Sequence, residues 1–309
     1  MALFNPIDQT AEPAVNVLAQ HGKSFRFAGR FLGRQQLKDC ARLYRFCRFV
    51  DDLVDESANP VFVKAQLQRI EQDIKRGQSH DPVLQDFIDL STAYKMDQAV
   101  INELVKGIAS DLDGVLIQDT ARLLKYCYRV AGTVGLLMCD ILGVSDEKAR
   151  AHAIDLGIAM QLTNIARDVK EDAAMGRRYI PADWIGAISP RLITEPDMLL
   201  SCTLSSGVKR LLAMAECYYR SGQQGLKYLP SRARLAIAIA ANVYREIGNI
   251  IREMDFDIWS GRARVSFFRK VRVAIGTTFG QFRSSSYVPH DHKLHTLLAG
   301  LPHVNESNI

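Results

Sequence analysis

The chain has 309 residues, 48% of them apolar and 24% charged, an ordinary balance for a folded protein with a sizeable core. Its net charge is only +5, and Lys and Arg are interleaved with Asp and Glu. That pattern argues against a nucleic-acid partner and leaves room for a small anion.

The first ten residues, MALFNPIDQT, have no basic n-region and no long apolar core, so no signal peptide is expected. No apolar run is long and uncharged enough to span a bilayer. The six cysteines, at 40, 47, 127, 139, 202 and 217, form no CxxC. Most lie in apolar helical patterns and are expected to be buried free thiols in a reducing cytosol. A cytoplasmic protein, soluble or peripheral on the inner membrane face, is the expectation.

In chain order, a short amphipathic helix over 15–20 ends at His21-Gly22. A strong helix follows over Arg34–Glu56, with neither Pro nor Gly inside it and Leu37, Ala41, Tyr44, Cys47 and Val54 at helical spacing. Asn59-Pro60 stops it. Further helical patterns cover 62–76, 83–91, 95–110 and, after a turn at Asp113-Gly114, 119–142. Three long helices are expected over 146–172, 204–229 and 231–256, the last two divided at Leu229-Pro230. No alternating strand pattern and no internal repeat occurs, so the fold class is all-α. A single helical domain over 1–283 is expected, with a polar tail over 284–309 that is mobile. Its HDHKLH run is expected to be solvated rather than metal-binding.

Two stretches carry chemistry. In QLTNIARDVKEDAAMGRRYIP, residues 161–181, the polar Gln161, Asn164, Asp168 and Asp172 stack on one helix face. Leu162, Ile165, Ala166 and Val169 give that helix an apolar flank, and Gly176 ends it before the basic pair Arg177-Arg178. In YRFCRFVDDLVDE, residues 44–56, Tyr44, Arg48, Asp51 and Asp55 share a second face. Each pair of aspartates one turn apart costs about 3 kcal/mol in mutual repulsion at ~6 Å and an effective dielectric of ~20. Two such pairs on apolar-flanked faces call for a cation. An Asp/Asn oxygen set without His or Cys suits Mg²⁺ completed by phosphate, with Mn²⁺ as the alternative, and argues against zinc.

Together RFCRFVDDLVDE, KYCYRVAGTVG, QLTNIARDVKEDAAMGRRYIP and the later VYREI and GRARVS resemble the squalene/phytoene synthase family, in the right order over most of the chain. NxxxDxxxD followed by GRxYIP is the most diagnostic part. The resemblance implies a single all-α isoprenoid-synthase bundle around a central cavity, which joins two allylic diphosphates through a cyclopropyl intermediate. It also implies that Asp51 and Asp55 form one Mg²⁺ site, and Asn164, Asp168 and Asp172 a second across the cavity. By the same resemblance, Ser24, Arg48, Arg167, Arg177 and one of Arg262 and Arg264 contact diphosphate, with Gln161 beside them. Tyr44, Tyr126 and Tyr244 line the cavity, where a tyrosine can stabilise a carbocation. Gly132 and Gly135 thin the helix wall for a prenyl chain. The family often has a second small polar residue where this chain has Gly22, which puts one diphosphate contact in doubt.

The expected activity is condensation of two geranylgeranyl diphosphates to phytoene via prephytoene diphosphate. The same chemistry on farnesyl diphosphate, giving squalene or dehydrosqualene, is the alternative. No nucleotide-binding fingerprint is present, and no NADPH is expected for phytoene formation. A non-catalytic helical adaptor is the reading from another class, and the two intact aspartate pairs speak against it. The basic residues 262–272 are expected to touch anionic lipid headgroups.

Overall fold

The computed structural model describes residues 14–18, 23–56, 59–144, 146–280 and 289–304. Its helices are α1 (Lys23–Gly29), α2 (Arg34–Glu56), α3 (Pro60–Arg76), α4 (Pro82–Ala93), α5 (Gln98–Ala109), α6 (Thr120–Cys127) and α7 (Thr133–Leu142). They continue with α8 (Lys148–Ala174), α9 (Ala182–Ile185), α10 (Pro190–Thr194), α11 (Met198–Gln224), α12 (Ser231–Glu253) and α13 (Phe267–Gly280). Among the described residues the sole extended pairing is an isolated parallel bridge between Leu116 and Arg178. The class is all-α, as the patterns predict.

Local chemistry sets the helix ends. Asn59 caps α3 by accepting from the Val61 and Phe62 amides, Pro60 occupies the first turn, and Gly77 closes the helix at φ 77°. Asp81, Asp97, Asp119 and Asp197 cap α4, α5, α6 and α11 in the same way. The helix expected over 119–142 is interrupted by a π turn at Tyr128–Gly132. Tyr128, at the start of that turn, donates from its hydroxyl to the Pro302 carbonyl at 2.6 Å.

α8 runs through the middle of the molecule and touches α6, the π turn, α7, α10, α11 and α12. Its approach to the π turn and α7 needs glycine. A Cβ added at Gly157 would lie 2.3 Å from the Ala131 carbonyl oxygen, and one at Gly135 would lie 2.3 Å from that of Ala153. The mid-helix glycines thus set a close backbone approach as well as lining a cavity. α2 packs on α4, α5 and α7, so its acidic face looks across an internal space at that of α8.

One apolar core runs from Leu43 to Val304. The tail expected to be mobile is therefore docked over 289–304: Leu298 and Val304 are in the core and His295 is 2% exposed. Residues 284–288 and 305–309 lie outside the described residues. All six cysteines are free, but Cys202 and Cys217 are exposed, contrary to the expectation of burial. They sit on the outer face of α11, where the helix meets solvent.

Candidate active site

α2 and α8 each present their acidic face to a cavity of about 240 Å³. Asp51, Asp55, Asn164, Asp168, Asp172, Gln161, Arg177 and Tyr126 all line it. The helical period alone puts these groups on their faces; the packing of both helices against α7 makes the faces meet.

Asp111 and Tyr179 belong to the same wall. Sequence reasoning missed Asp111, which follows α5 in the short helical turn Ser110–Asp113, and left Tyr179 without a role. Asp111 accepts from the Tyr126 hydroxyl at 3.0 Å and the Tyr179 hydroxyl at 3.1 Å, and the two rings stand 4.8 Å apart. The acidic SDLDG run was the available signal, but a lone aspartate at a helix end reads as a turn residue.

The carboxylates are electrostatically loaded. Burial, then the neighbouring Asp55, pushes Asp51 up to about 7. Burial, then Asp168, pushes Asp172 up to about 8. Burial pushes Asp111 up to about 6 although Arg177 and both tyrosines oppose it. Each rise is the mark of negative charge packed without enough water.

Arginines supply part of the balance. Arg177 reaches back from the loop after α8 and donates to Asp55 Oδ1 at 2.7 Å, tying the two acidic faces together. Arg167 forks onto the Asp168 carboxylate, with Nε 2.8 Å from Oδ1. Arg262 donates to the same oxygen from Nε at 2.8 Å; like Arg264 it is exposed and outside the lining of this cavity and the one beside it. Of the two arginines that the sequence left open, Arg262 is the one in contact with an acidic-face carboxylate.

Two basic residues fall elsewhere. Arg48 pairs with Asp52, one turn on and off the Asp51 face, and lines neither cavity. Arg178, second of the basic pair after α8, is 3% exposed and donates to the Ile117 and Ile180 carbonyls at 2.8 and 2.7 Å. Backbone bonds from Arg178 to Val115 and from Ile117 to Arg178 fasten the same loop. The loop is anchored because one arginine faces inward to unpaired carbonyls while its neighbour faces the acids.

The acidic cavity continues into an apolar one of about 410 Å³ through shared walls at Cys47, Asp51, Val130, Gln161 and Asn164. Tyr44 and Tyr244 line the apolar part, with Phe25 5.1 Å from the Tyr244 ring. Tyr126 lines the acidic part and not the apolar one. Ser24 is half-buried on α1 and lines neither, because α1 turns Phe25, Ala28 and Gly29 to the cavity instead. Leu142, Val144, His152, Leu226 and Leu229 also line the apolar space.

This acid-headed, apolar-tailed cavity has counterparts. The family model described as squalene/phytoene synthase matches residues 18–269, most of the chain. The chain belongs to the squalene/phytoene synthase family. A 15-cis-phytoene synthase of Enterobacter agglomerans is 34% identical over 281 residues, covering 87% of this chain and 94% of the relative. One from Pantoea ananas is 32% identical over 291 residues, covering 90% and 93%. Among solved structures, a dehydrosqualene synthase in complex with ligand superposes with a TM-score of 0.78 at 29% identity, covering 88% of this chain and 96% of that one. Members of this family bind isoprenyl diphosphates, and the chain is a prenyl-transferring enzyme of the isoprenoid-synthase helical fold.

Proposed function

We propose that the chain is a phytoene synthase, condensing two geranylgeranyl diphosphates head to head through prephytoene diphosphate. One observation carries this reading: an acidic cavity with arginines on its rim opens, through shared side chains, into an apolar cavity. That is the shape of a diphosphate head with a polyprenyl tail. The identity to 15-cis-phytoene synthases over most of the chain supports phytoene above squalene as the product.

The residues fit divalent cations. Every candidate ligand on the two faces is an oxygen of Asp51, Asp55, Asn164, Asp168 or Asp172, and Asp111 adds another. The Asn164 Oδ1 is buried without a hydrogen-bond partner among the described residues, an acceptor suited to a cation. Burial holds the Cys47 thiol protonated, which removes sulfur from the set. A hard ion of the Mg²⁺ or Mn²⁺ class suits these donors, and it would neutralise the charge of the departing diphosphate.

The protein's own groups do the rest. Arg177, Arg167 and Arg262 stand where diphosphate oxygens can take over their carboxylate contacts. The apolar walls exclude water, so that C1 of the ionised donor meets the double bond of the second substrate rather than solvent. Alkylation and loss of a proton close the cyclopropane. Loss of the second diphosphate, rearrangement of the ring and a final proton loss give the triene. Tyr44 and Tyr244 offer ring faces and hydroxyls to the cations along the apolar wall, while Tyr126 and Tyr179, pinned by Asp111, do so at the acidic end.

Purified protein incubated with labelled C20 diphosphate and Mg²⁺, without NADPH, is expected to yield phytoene. A C30 hydrocarbon from C15 diphosphate with none from C20 would overturn the phytoene reading, and no product from either would overturn the enzyme.

The product is very apolar, and α13 suits a membrane surface where it could leave. Ala274 and Val273 pack it on α12 and α1, while Phe268, Ile275 and Phe279 are 85%, 53% and 71% exposed beside Arg264 and Arg272. No helix among the described residues is long and apolar enough to cross a membrane. Contact is therefore expected to be peripheral. Sedimentation with vesicles containing anionic lipid is expected for the native protein and reduced at least about five-fold for Phe268→Ser with Phe279→Ser; equal sedimentation would remove this contact.

A further inference from the structure

Away from the acidic cavity, Asp155 of α8 is wholly buried, its side chain 0% exposed. His290 Nε2 lies 2.9 Å from its Oδ2 and His295 Nε2 lies 2.8 Å from its Oδ1. Ser221 Oγ of α11 donates to Oδ2 as well. The two histidines come from the tail, and Asp291 between them accepts from the Lys293 amide to begin the turn His292–Leu298 that aims both rings inward.

The proton positions are constrained. His295 Nδ1 lies 3.3 Å from the Val304 carbonyl, which can only accept, so Nδ1 carries the hydrogen. A neutral His295 would then set the Nε2 lone pair against a carboxylate. Positive charge has to lie between them, either as a second proton or as a metal ion. His290 Nδ1 is buried with no partner among the described residues. Burial alone would raise the Asp155 carboxyl, yet the contacts from His290 and His295 hold it below the usual range.

One carboxylate and two imidazole nitrogens, all within 4.8 Å of one another, form the nitrogen-containing donor set that the acidic cavity lacks. Backbone carbonyls that orient a ring through Nδ1, as Val304 does here, are the usual support of a metal-bound histidine. We infer that Asp155, His290 and His295 bind a divalent ion of the zinc class, separate from the acidic cavity, and that this ion fastens the C-terminal segment to α8. Mg²⁺, which prefers oxygen, does not suit this set.

The fastening has neighbours to act with. Tyr218 donates to the Leu294 carbonyl at 2.8 Å and Tyr128 to that of Pro302, so the segment crosses both α11 and the π turn. His152, whose ring lies 5.3 Å from that of His290, lines the apolar cavity. The ion would thus stiffen the floor against which a prenyl tail rests.

The test uses the full chain, stripped with chelator and loaded with Zn²⁺ or Co²⁺ in excess Mg²⁺, which occupies the oxygen-only site. One tightly held Zn²⁺ per chain is expected after gel filtration, and Co²⁺ is expected to show the visible absorption of a low-coordinate ion with nitrogen ligands. His290→Gln with His295→Gln is expected to weaken retention at least about a hundred-fold while phytoene formation persists. Should that variant fail to fold, the cobalt spectrum of the unmodified protein decides alone. No retained metal, or cobalt with an all-oxygen octahedral spectrum, would overturn the site and leave a protonated His295–Asp155 pair in its place.

Discussion

Asp51→Asn and Asp168→Asn are each expected to lower turnover about a thousand-fold or more, equivalent to about 4 kcal/mol of transition-state stabilisation, with the helical circular dichroism unchanged. The two sites predict different side effects. Among the described residues Asp51 makes no ion pair of its own, and it is held up to about 7 by burial and Asp55, so its amide removes repulsion as well as a ligand. Its melting temperature is expected to rise slightly. Asp168 anchors Arg167 and Arg262, and its amide leaves both guanidinium groups with a weaker partner. The Asp168 variant is expected to melt no higher than the parent and to bind diphosphate with altered affinity. Near-normal turnover in either variant would refute the assignment of the acidic faces. Asp111→Asn, by contrast, is expected to slow turnover less, because it loosens Tyr126 and Tyr179.

Removing divalent cations is expected to abolish turnover, and the response to pH should show why. In the metal-free protein Asp51 and Asp172 titrate near 7 and near 8, above the ordinary carboxylate range. A folded-state value raised above the unfolded one gives stability that is fully present below the unfolded value and lost as pH rises through the folded value. The melting temperature in EDTA is therefore expected to fall as pH rises from about 4, the ordinary carboxylate value, to about 8, and to level off above that. Mg²⁺ opposes that fall by neutralising the same carboxylates, so the gap between Mg²⁺ and EDTA melting curves should widen over this range. Binding must also release protons, and affinity is expected to rise up to about ten-fold per pH unit for each proton released. Calorimetry in two buffers of different ionisation enthalpy counts those protons directly. A gap and an affinity that do not change with pH would sink the account of a cation held by these two groups.

Much of the site is legible in local periodicity. Asp51 with Asp55, and Asn164 with Asp168 and Asp172, fall on single helix faces because a turn takes about 3.6 residues. Side chains that join the site singly leave no such trace. Tyr179 follows two arginines in an irregular loop, and whether it faces the acids depends on the bond between Arg178 and the 115–118 segment. The same packing turns Arg178 itself inward, where it satisfies buried carbonyls. Arg48 shares a face with Asp51 by spacing, but a long side chain chooses among partners, and Asp52 lies nearer.

By itself the sequence determined the helices, their caps, the two acidic faces and the family, because each is written in short-range spacing or in a run of adjacent residues. The tertiary structure alone decided that the faces oppose one another, that Asp111 and Tyr179 complete the wall, and that Arg262 rather than Arg264 reaches Asp168. It also decided that a polar, histidine-bearing tail lies in the core. Composition reads such a segment as solvated, since nothing near it in the chain can satisfy its imidazoles. Their partner, Asp155, stands 135 residues before His290, and only the packing of α8 beneath the tail brings the two together.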